Sequence, residues 1–307
     1  MPLDFFRNTF AGNPLDRASY HRGDADWIAA RLADPATRSL ALWNGQPLVE
    51  GGEDAPRLAW LPMEMALPLA GDERHWLFLG MDGETALFAI DLDGEADPAA
   101  GPLEGRGRFV GLRETATLLA PEEAAMAATA KAMFDWSRRR SFCSVCGERN
   151  QVVDAGWRRR CPVCGADHFP RTDPVVIMLP VMGEKCLLGR LQTQPPGRFS
   201  CLAGFLEPGE SVEEACAREV KEESGLEVVS VRYHSSQPWP WPSNLMIGLF
   251  AEVAADTAAP DQTELAEVHW FTREEARRLV EDELEGFKAS PPLAIGHHLV
   301  RAWAYGA

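Results

Sequence analysis

The stretch Gly204-Phe205-Leu206-Glu207-Pro208-Gly209-Glu210 runs through residues 211–217 into Arg218-Glu219-Val220-Lys221-Glu222-Glu223-Ser224-Gly225-Leu226. Its spacing is G-x5-E-x7-R-E-x-x-E-E-x-G. It predicts a glycine turn followed by a helix over 211–224. Ser211 and Glu214 fit a capping box, and Gly225 fits the position just past a helix end. Residues three and four apart share a helix face, so Glu219, Glu222 and Glu223 form one acidic patch. Val212, Ala215, Cys216 and Val220 make a largely apolar opposite side that packs on a sheet. Three carboxylates this close repel one another and cost stability without a counterion. Hard divalent cations such as Mg2+ or Mn2+ relieve that repulsion through oxygen ligands. Glu213 and Glu214 read as solvated surface.

Working outward, residues 175–179 and 186–190 read as strands joined around Gly183, and 245–252 as a further strand. Thr272 and Glu275 form a second capping box, opening a helix over 272–280, and 293–303 reads as a terminal helix. Towards the N-terminus, 76–80 and 85–90 flank Met81-Asp82-Gly83-Glu84 as a hairpin. Residues 121–140 read as a helix with Pro121 in its first turn, Glu122 and Glu123 at its positive end and Arg138, Arg139 and Arg140 in its last turn. Those arginines read first as helix-end complementarity and solvent, and second as phosphate-facing. Residues 1–120 form one domain with no motif of legible chemistry.

The chain of 307 residues is 46% apolar, enough for two domains and a small third. No apolar run approaches a membrane span, and Met1-Pro2-Leu3-Asp4 does not open a signal peptide. The expectation is a cytoplasmic protein with no membrane partner. The net charge of −16 argues against a generic nucleic-acid binder and opposes an anionic substrate through the overall field. A phosphate substrate therefore needs local arginines or metal cations.

Cys143-x2-Cys146 and Cys161-x2-Cys164 are separated by 14 residues. Each pair sits on a tight knuckle, and two knuckles complete a tetrahedral four-sulfur site that suits zinc. Gly147 and Gly165 follow the second cysteine of each pair, where the turn needs relaxed torsions. Disulfides or redox pairs are the alternative, which a cytoplasmic chain disfavours. Four protein ligands leave no open position, so the zinc reads as structural. Cys186, Cys201 and Cys216 read as small apolar residues.

With ten residues between it and Gly225 stands Ser236-Gln237-Pro238-Trp239-Pro240-Trp241-Pro242-Ser243-Asn244. Three prolines and two tryptophans make a stiff loop with flat apolar faces. It suits a planar base or ring, with Gln237 bonding an edge; a rigid packing loop is the competing reading.

The 204–226 pattern resembles the Nudix box, with every fixed polar and glycine position filled. Together with the cysteine module and the Trp-Pro loop, the chain resembles the NADH pyrophosphatase (NudC) branch of that superfamily from about Arg138 to the end, and more weakly before it. In the branch array S-Q-P-W-P-F-P-x-S, Trp241 here replaces the phenylalanine and Asn244 the last serine. The implied fold is α/β: a Nudix α/β/α sandwich at 172–307, preceded by a zinc ribbon at 141–171, a connecting helix at 121–140 and an N-terminal mixed α/β domain at 1–120.

The resemblance implies that Glu219, Glu222 and Glu223 hold Mg2+ or Mn2+ and run the cleavage, with Glu223 assisting the attacking water. It implies that Ala203 and Glu264 add metal ligands, and that Arg218 pairs with Glu210 to order the loop. On the substrate side it implies Phe205, Gln237, Pro238, Trp239, Pro240, Trp241, Pro242, Ser243 and Asn244. It adds Gly296, Phe169 (where many members have tyrosine) and Arg113, whose match needs a gap. The implied activity is hydrolysis of NADH or NAD to nicotinamide mononucleotide and AMP, and removal of NAD caps from RNA, by a homodimer. Arg138–Arg140 and Arg158–Arg160 could guide RNA. Two other readings stay open: a hydrolase of ADP-ribose or another dinucleotide, and a zinc-ribbon binding module with a vestigial Nudix fold. His297 and His298 read as helix-surface or packing residues.

Overall fold

Along one central strand, side chains alternate between two cores. Val176 and Met178 face one apolar cluster, while Ile177 and Leu179 face another. That period of two is the signature of a strand buried on both faces. The computed structural model describes residues 8–306. The segment Met1-Pro2-Leu3-Asp4 lies outside the described residues. The chain divides into two bodies, residues 10–172 with 239–243, and residues 173–238 with 244–306 and 8–9.

The N-terminal body holds strands β1 (Arg38–Trp43), β2 (Gln46–Gly51), β3 (Pro56–Leu58), β4 (Trp60–Pro62), β5 (Trp76–Asp82), β6 (Thr85–Leu92) and β7 (Arg108–Phe109). The order is β3-β2-β1-β6-β5, with β4 on β1 and β7 on β2. β1 and β6 run parallel, with Leu40 opposite Ala89. Helices α1 (Ala25–Ala33) and α2 (Met63–Ala70) cover a core that includes Ile28, Ala66, Phe78 and Phe88. After the short α3 (Leu112–Thr115) comes α4 (Pro121–Arg139), whose Glu123 accepts the Leu58 N–H at 3.1 Å.

The cysteine module follows in the same body as β8 (Gln151–Val153), β9 (Arg158–Arg160) and β10 (Asp167–His168). Trp157 Nε1 donates to the Phe78 carbonyl at 2.7 Å, joining it to β5.

The C-terminal body has strands β11 (Asp173–Met182), β12 (Lys185–Leu191), β13 (Leu202–Phe205), β14 (Val228–Trp239), β15 (Asn244–Val253) and β16 (Leu265–Thr272). Their order is β14-β15-β11-β12-β16, with β13 on β11. β11 and β15 are parallel, and β11 and β12 form the hairpin expected around Gly183, whose φ is 57°. Helix α5 (Val212–Ser224) packs Ala215, Cys216 and Val220 on one face. Helices α6 (Arg273–Val280) and α7 (Ile295–Tyr305) cover the other with Leu279, Leu299 and Trp303. The result is an α/β/α sandwich. Both expected capping boxes form, at Ser211/Glu214 and Thr272/Glu275.

In the arginine run at the end of α4, Arg139 stands exposed in the last turn as first read, and Arg138 departs from that reading. Arg138 pairs with Asp91, a buried carboxylate of β6, and with Asp135 at 2.6 Å. Removing Asp91 from water would be costly without that guanidinium. In the second run, Arg158 pairs with Asp154 and Asp167, and buried Arg159 donates to Ser137. Among the described residues, no helix is long and apolar enough to cross a membrane.

Candidate active site

The box folds as a strand, a turn and a helix. β13 pairs with β11 through Ala203 opposite Ile177 and Gly204 opposite Val176. A Cβ built on Gly204 would lie 1.9 Å from Glu219 Cδ and 2.0 Å from its Oε1. Glycine leaves that space to the Glu219 carboxylate, which any side chain would push aside.

Arg218 gathers the surrounding acids. Its guanidinium donates to Glu210 Oε1 at 2.6 Å and Oε2 at 2.9 Å, to Glu219 at 2.7 Å and to Glu222 at 3.0 Å. It also donates to the Phe205 carbonyl at 2.9 Å, which fixes the glycine turn to the helix. Hydrogen bonds from Arg218 first, then from the Glu207 N–H, pull the Glu210 carboxyl down to about 2. For Glu219 burial outweighs the same guanidinium, and its carboxyl is pushed up.

Glu223 has no such partner. It is 4% exposed, and its Oε2 has no hydrogen-bond partner. Burial first, then the charges of Glu219 and Glu264, raise its carboxyl to about 8, against a backbone hydrogen bond from Ala203. An orphaned buried carboxylate beside acidic neighbours is what a cation site presents before its ion enters. The donor set is all oxygen, so the residues fit Mg2+ or Mn2+. Glu222 is exposed and turned to Arg218. Glu219, Glu222 and Glu223 do not converge within 4.8 Å, whereas the four cysteines do.

Glu264 is exposed, and its charge contributes to raising both Glu219 and Glu223. Its loop is held by Asp261, missed in the sequence, whose carboxylate accepts the N–H groups of Thr263, Glu264 and Leu265. The signal was there: an aspartate two to four residues ahead of the N–H groups it accepts.

In the cysteine module, Cys143 Sγ lies 3.7 Å from Cys164 Sγ, and Cys146 Sγ lies 3.4 Å from Cys161 Sγ. A disulfide needs about 2.05 Å. Tetrahedral zinc with bonds of about 2.3 Å puts sulfurs roughly 3.8 Å apart, so the cage fits that ion. The Val145 N–H points at Cys143 Sγ and the Cys164 N–H at Cys161 Sγ. Gly147 and Gly165 take φ of 80° and 73°, as the knuckles require. His168 Nε2 lies 3.4 Å from Cys143 Sγ, outside the four-thiol set.

The expected substrate-side residues divide between the two bodies. In the C-terminal body Phe205 is exposed at the end of β13, and Gly296 is buried in α7, its carbonyl accepting from Cys201 Sγ at 3.5 Å. Pro238 and Asn244 are half-buried where the chain leaves and re-enters that body. Gln237 corrects the expectation that it reads a ligand edge. It is 0% exposed, its amide donates to the carbonyls of Leu293 and Thr9, and its oxygen accepts the Ile295 N–H at 2.8 Å. It pins the start of α7.

In the N-terminal body, Trp239 and Trp241 stand 4.9 Å apart, centroid to centroid, packed against buried Phe10. The guanidinium of Arg113 lies 4.3 Å from the Trp241 ring centroid, so the fold brings it to the loop. Lys131, another residue the sequence did not flag, donates to the Pro240 carbonyl at 2.9 Å. Pro242 follows a cis peptide bond, and Pro242 and Ser243 are half-buried. Phe169 is exposed.

Three family models match in succession: an NADH pyrophosphatase-like rudimentary NUDIX domain at residues 36–136, an NADH pyrophosphatase zinc ribbon domain at 138–169 and a NUDIX domain at 171–290. The NAD-capped RNA hydrolase NUDT12 of Pongo abelii is 36% identical over 96% of this chain and 73% of its own length. The chain belongs to the NADH pyrophosphatase branch of the Nudix hydrolases.

Two other relatives are similar over most of the chain. The NAD-capped RNA hydrolase NudC of Deinococcus radiodurans is 37% identical over 70% of this chain and 80% of its own. The mitochondrial NAD(P)H pyrophosphatase NUDT13 of Homo sapiens is 35% identical over 81% and 78%. Membership fits the order ribbon, box, Trp-Pro loop.

Proposed function

We propose that this chain hydrolyses the diphosphate bond of NADH and NAD, releasing nicotinamide mononucleotide and AMP. The observation that carries the reading is Glu223: a buried carboxylate with an unpartnered oxygen, beside Glu219 and Glu264, on the helix of a Nudix box. Glu219, Glu222, Glu223 and Glu264, with the Ala203 backbone, would hold Mg2+ or Mn2+. When bound, these cations neutralise the diphosphate and make hydroxide available near neutral pH. Held ionised by those cations, Glu223 would take the proton of the attacking water. Arg218 keeps Glu219 and the Phe205 carbonyl in place. Phe205 offers a flat face to the nicotinamide.

The cysteine cage holds zinc as a structural ion. The reading further includes removal of NAD caps from RNA, supported by the names of two relatives, and a homodimer in the cytoplasm, which rests on the sequence resemblance alone. Of the two arginine runs, Arg139 and Arg160 present exposed cations for that role.

The test compares initial rates on NADH, NAD, ADP-ribose and NAD-capped RNA with one preparation. AMP release from NADH or NAD ahead of ADP-ribose is expected. Inactivity on every dinucleotide would replace the enzyme by a binding module.

A further inference from the structure

A third group of metal-ligand side chains lies far in sequence from the box and the ribbon. His75 directly precedes β5, and Asp91 and Asp93 sit at the end of β6 and just past it. Trp76 pairs with Ile90 across the two strands, so His75 comes opposite Asp91. Asp93, two residues on, shares the Asp91 side of the strand. One ligand atom from each of the three lies within 4.8 Å of the others, and His75 Nε2 is 3.5 Å from Asp93 Oδ2.

An acidic cluster alone means little, and here a second observation stands beside it. Asp91 is 4% exposed, and while its Oδ2 pairs with Arg138, its Oδ1 is buried without a hydrogen-bond partner. A buried lone oxygen of this kind calls for a cation or a donor. The surroundings are already fixed. Arg138 anchors Asp91 to α4, Trp43 Nε1 donates to the Gly94 carbonyl at 3.0 Å beside Asp93, and the His75 N–H donates to the Asp72 carbonyl at 3.1 Å. The neighbouring charges are also paired, Asp72 with Arg74 and Asp135 with Lys131 as well as with Arg138.

We propose that His75, Asp91 and Asp93 form a divalent-cation site in the N-terminal body, suited to a borderline ion of the Zn2+ class. One imidazole with two carboxylates favours such an ion over Mg2+, which prefers oxygen alone and keeps its waters. His75 and Asp93 face solvent in part, with side-chain exposures of 22% and 73%, so the ion has an entry path and room for water. The ion ties the start of β5 to the end of β6, next to the Arg138 anchor of α4.

The experiment uses the full-length protein, loaded with Zn2+ in excess Mg2+, desalted and assayed for zinc by mass spectrometry. Wild type is compared with His75→Ala and Asp93→Asn. All three share the same ribbon and box, so the difference isolates this site. Wild type should retain about one zinc more per chain than either variant, and zinc should raise its Tm more than theirs. Asp93 is exposed enough that its amide variant folds, which circular dichroism verifies. Equal zinc and equal Tm shifts in wild type and Asp93→Asn would overturn the proposal.

Discussion

In the ribbon, four thiols lie within 4.8 Å of one another, and backbone N–H groups point at two of them. In the box, the acids are unequal: Glu210, Glu219 and Glu222 share Arg218, and Glu223 is buried with an oxygen to spare. Both regions crowd anionic ligands together. The ribbon spends every ligand on one closed cage, which leaves nothing for a substrate and puts the binding energy into folding. The box holds part of its charge on an arginine and leaves Glu223 uncompensated, a cost to stability that an entering cation turns into chemistry. On the proposed reading, a closed set stabilises the fold and an open one performs the reaction.

The first way to break this comparison is Glu223→Gln. It should lower kcat on NADH by roughly 10³-fold and leave the metal-free Tm equal or higher, since it removes a buried carboxyl whose ionisation opposes folding. A lower Tm with normal turnover would make Glu223 a structural residue like the ribbon cysteines. Gly204→Ala should cost on the order of 10²-fold in turnover, because a methyl would displace the Glu219 carboxylate; steady-state kinetics on the folded variant measures it. Cys161→Ser should show the opposite balance, with Tm lower by roughly 10 °C and kcat at 20 °C changed several-fold at most. A sudden loss of turnover in that variant with the fold intact would put the ribbon metal in the chemistry. Gln237→Leu should lower stability by about 1–3 kcal/mol, read by urea unfolding, with KM for NADH unmoved because Gln237 is buried against α7.

The same carboxyl also sets a pH dependence. The folded carboxyl of Glu223 is raised to about 8 from an ordinary value of 4.5. The folded state therefore binds this proton more tightly, so its contribution to stability is full below about 4.5 and is lost as pH rises through about 8. Without divalent metal, the Tm difference between wild type and Glu223→Gln should widen across that window in favour of the variant. A constant difference would mean Glu223 is not protonated by burial.

The box and ribbon were legible because their signals are local. Ser211, Glu214 and Gly225 set the ends of α5 from within its own sequence, and each knuckle needs only a C-x2-C pair and its glycine. The N-terminal sheet was largely illegible. β1 pairs in parallel with β6 across dozens of residues, and Pro68 lies inside α2. Asp91 and Arg138, separated by 47 positions, meet only after β6 and α4 pack. Gln237 was misjudged because its neighbours suggested a ligand loop, while its partners Leu293 and Ile295 come from another part of the chain. What a motif does is written nearby; which side chain is buried depends on elements that sequence spacing does not join.

The central claim is tested most directly by following AMP and nicotinamide mononucleotide released from NADH as Mg2+ or Mn2+ is withheld and then added back, with zinc retained in the ribbon. The account predicts baseline rates without the added cation and equal yields of the two mononucleotides on its return. Release that does not depend on the cation, or no AMP at any concentration of it, would contradict the account.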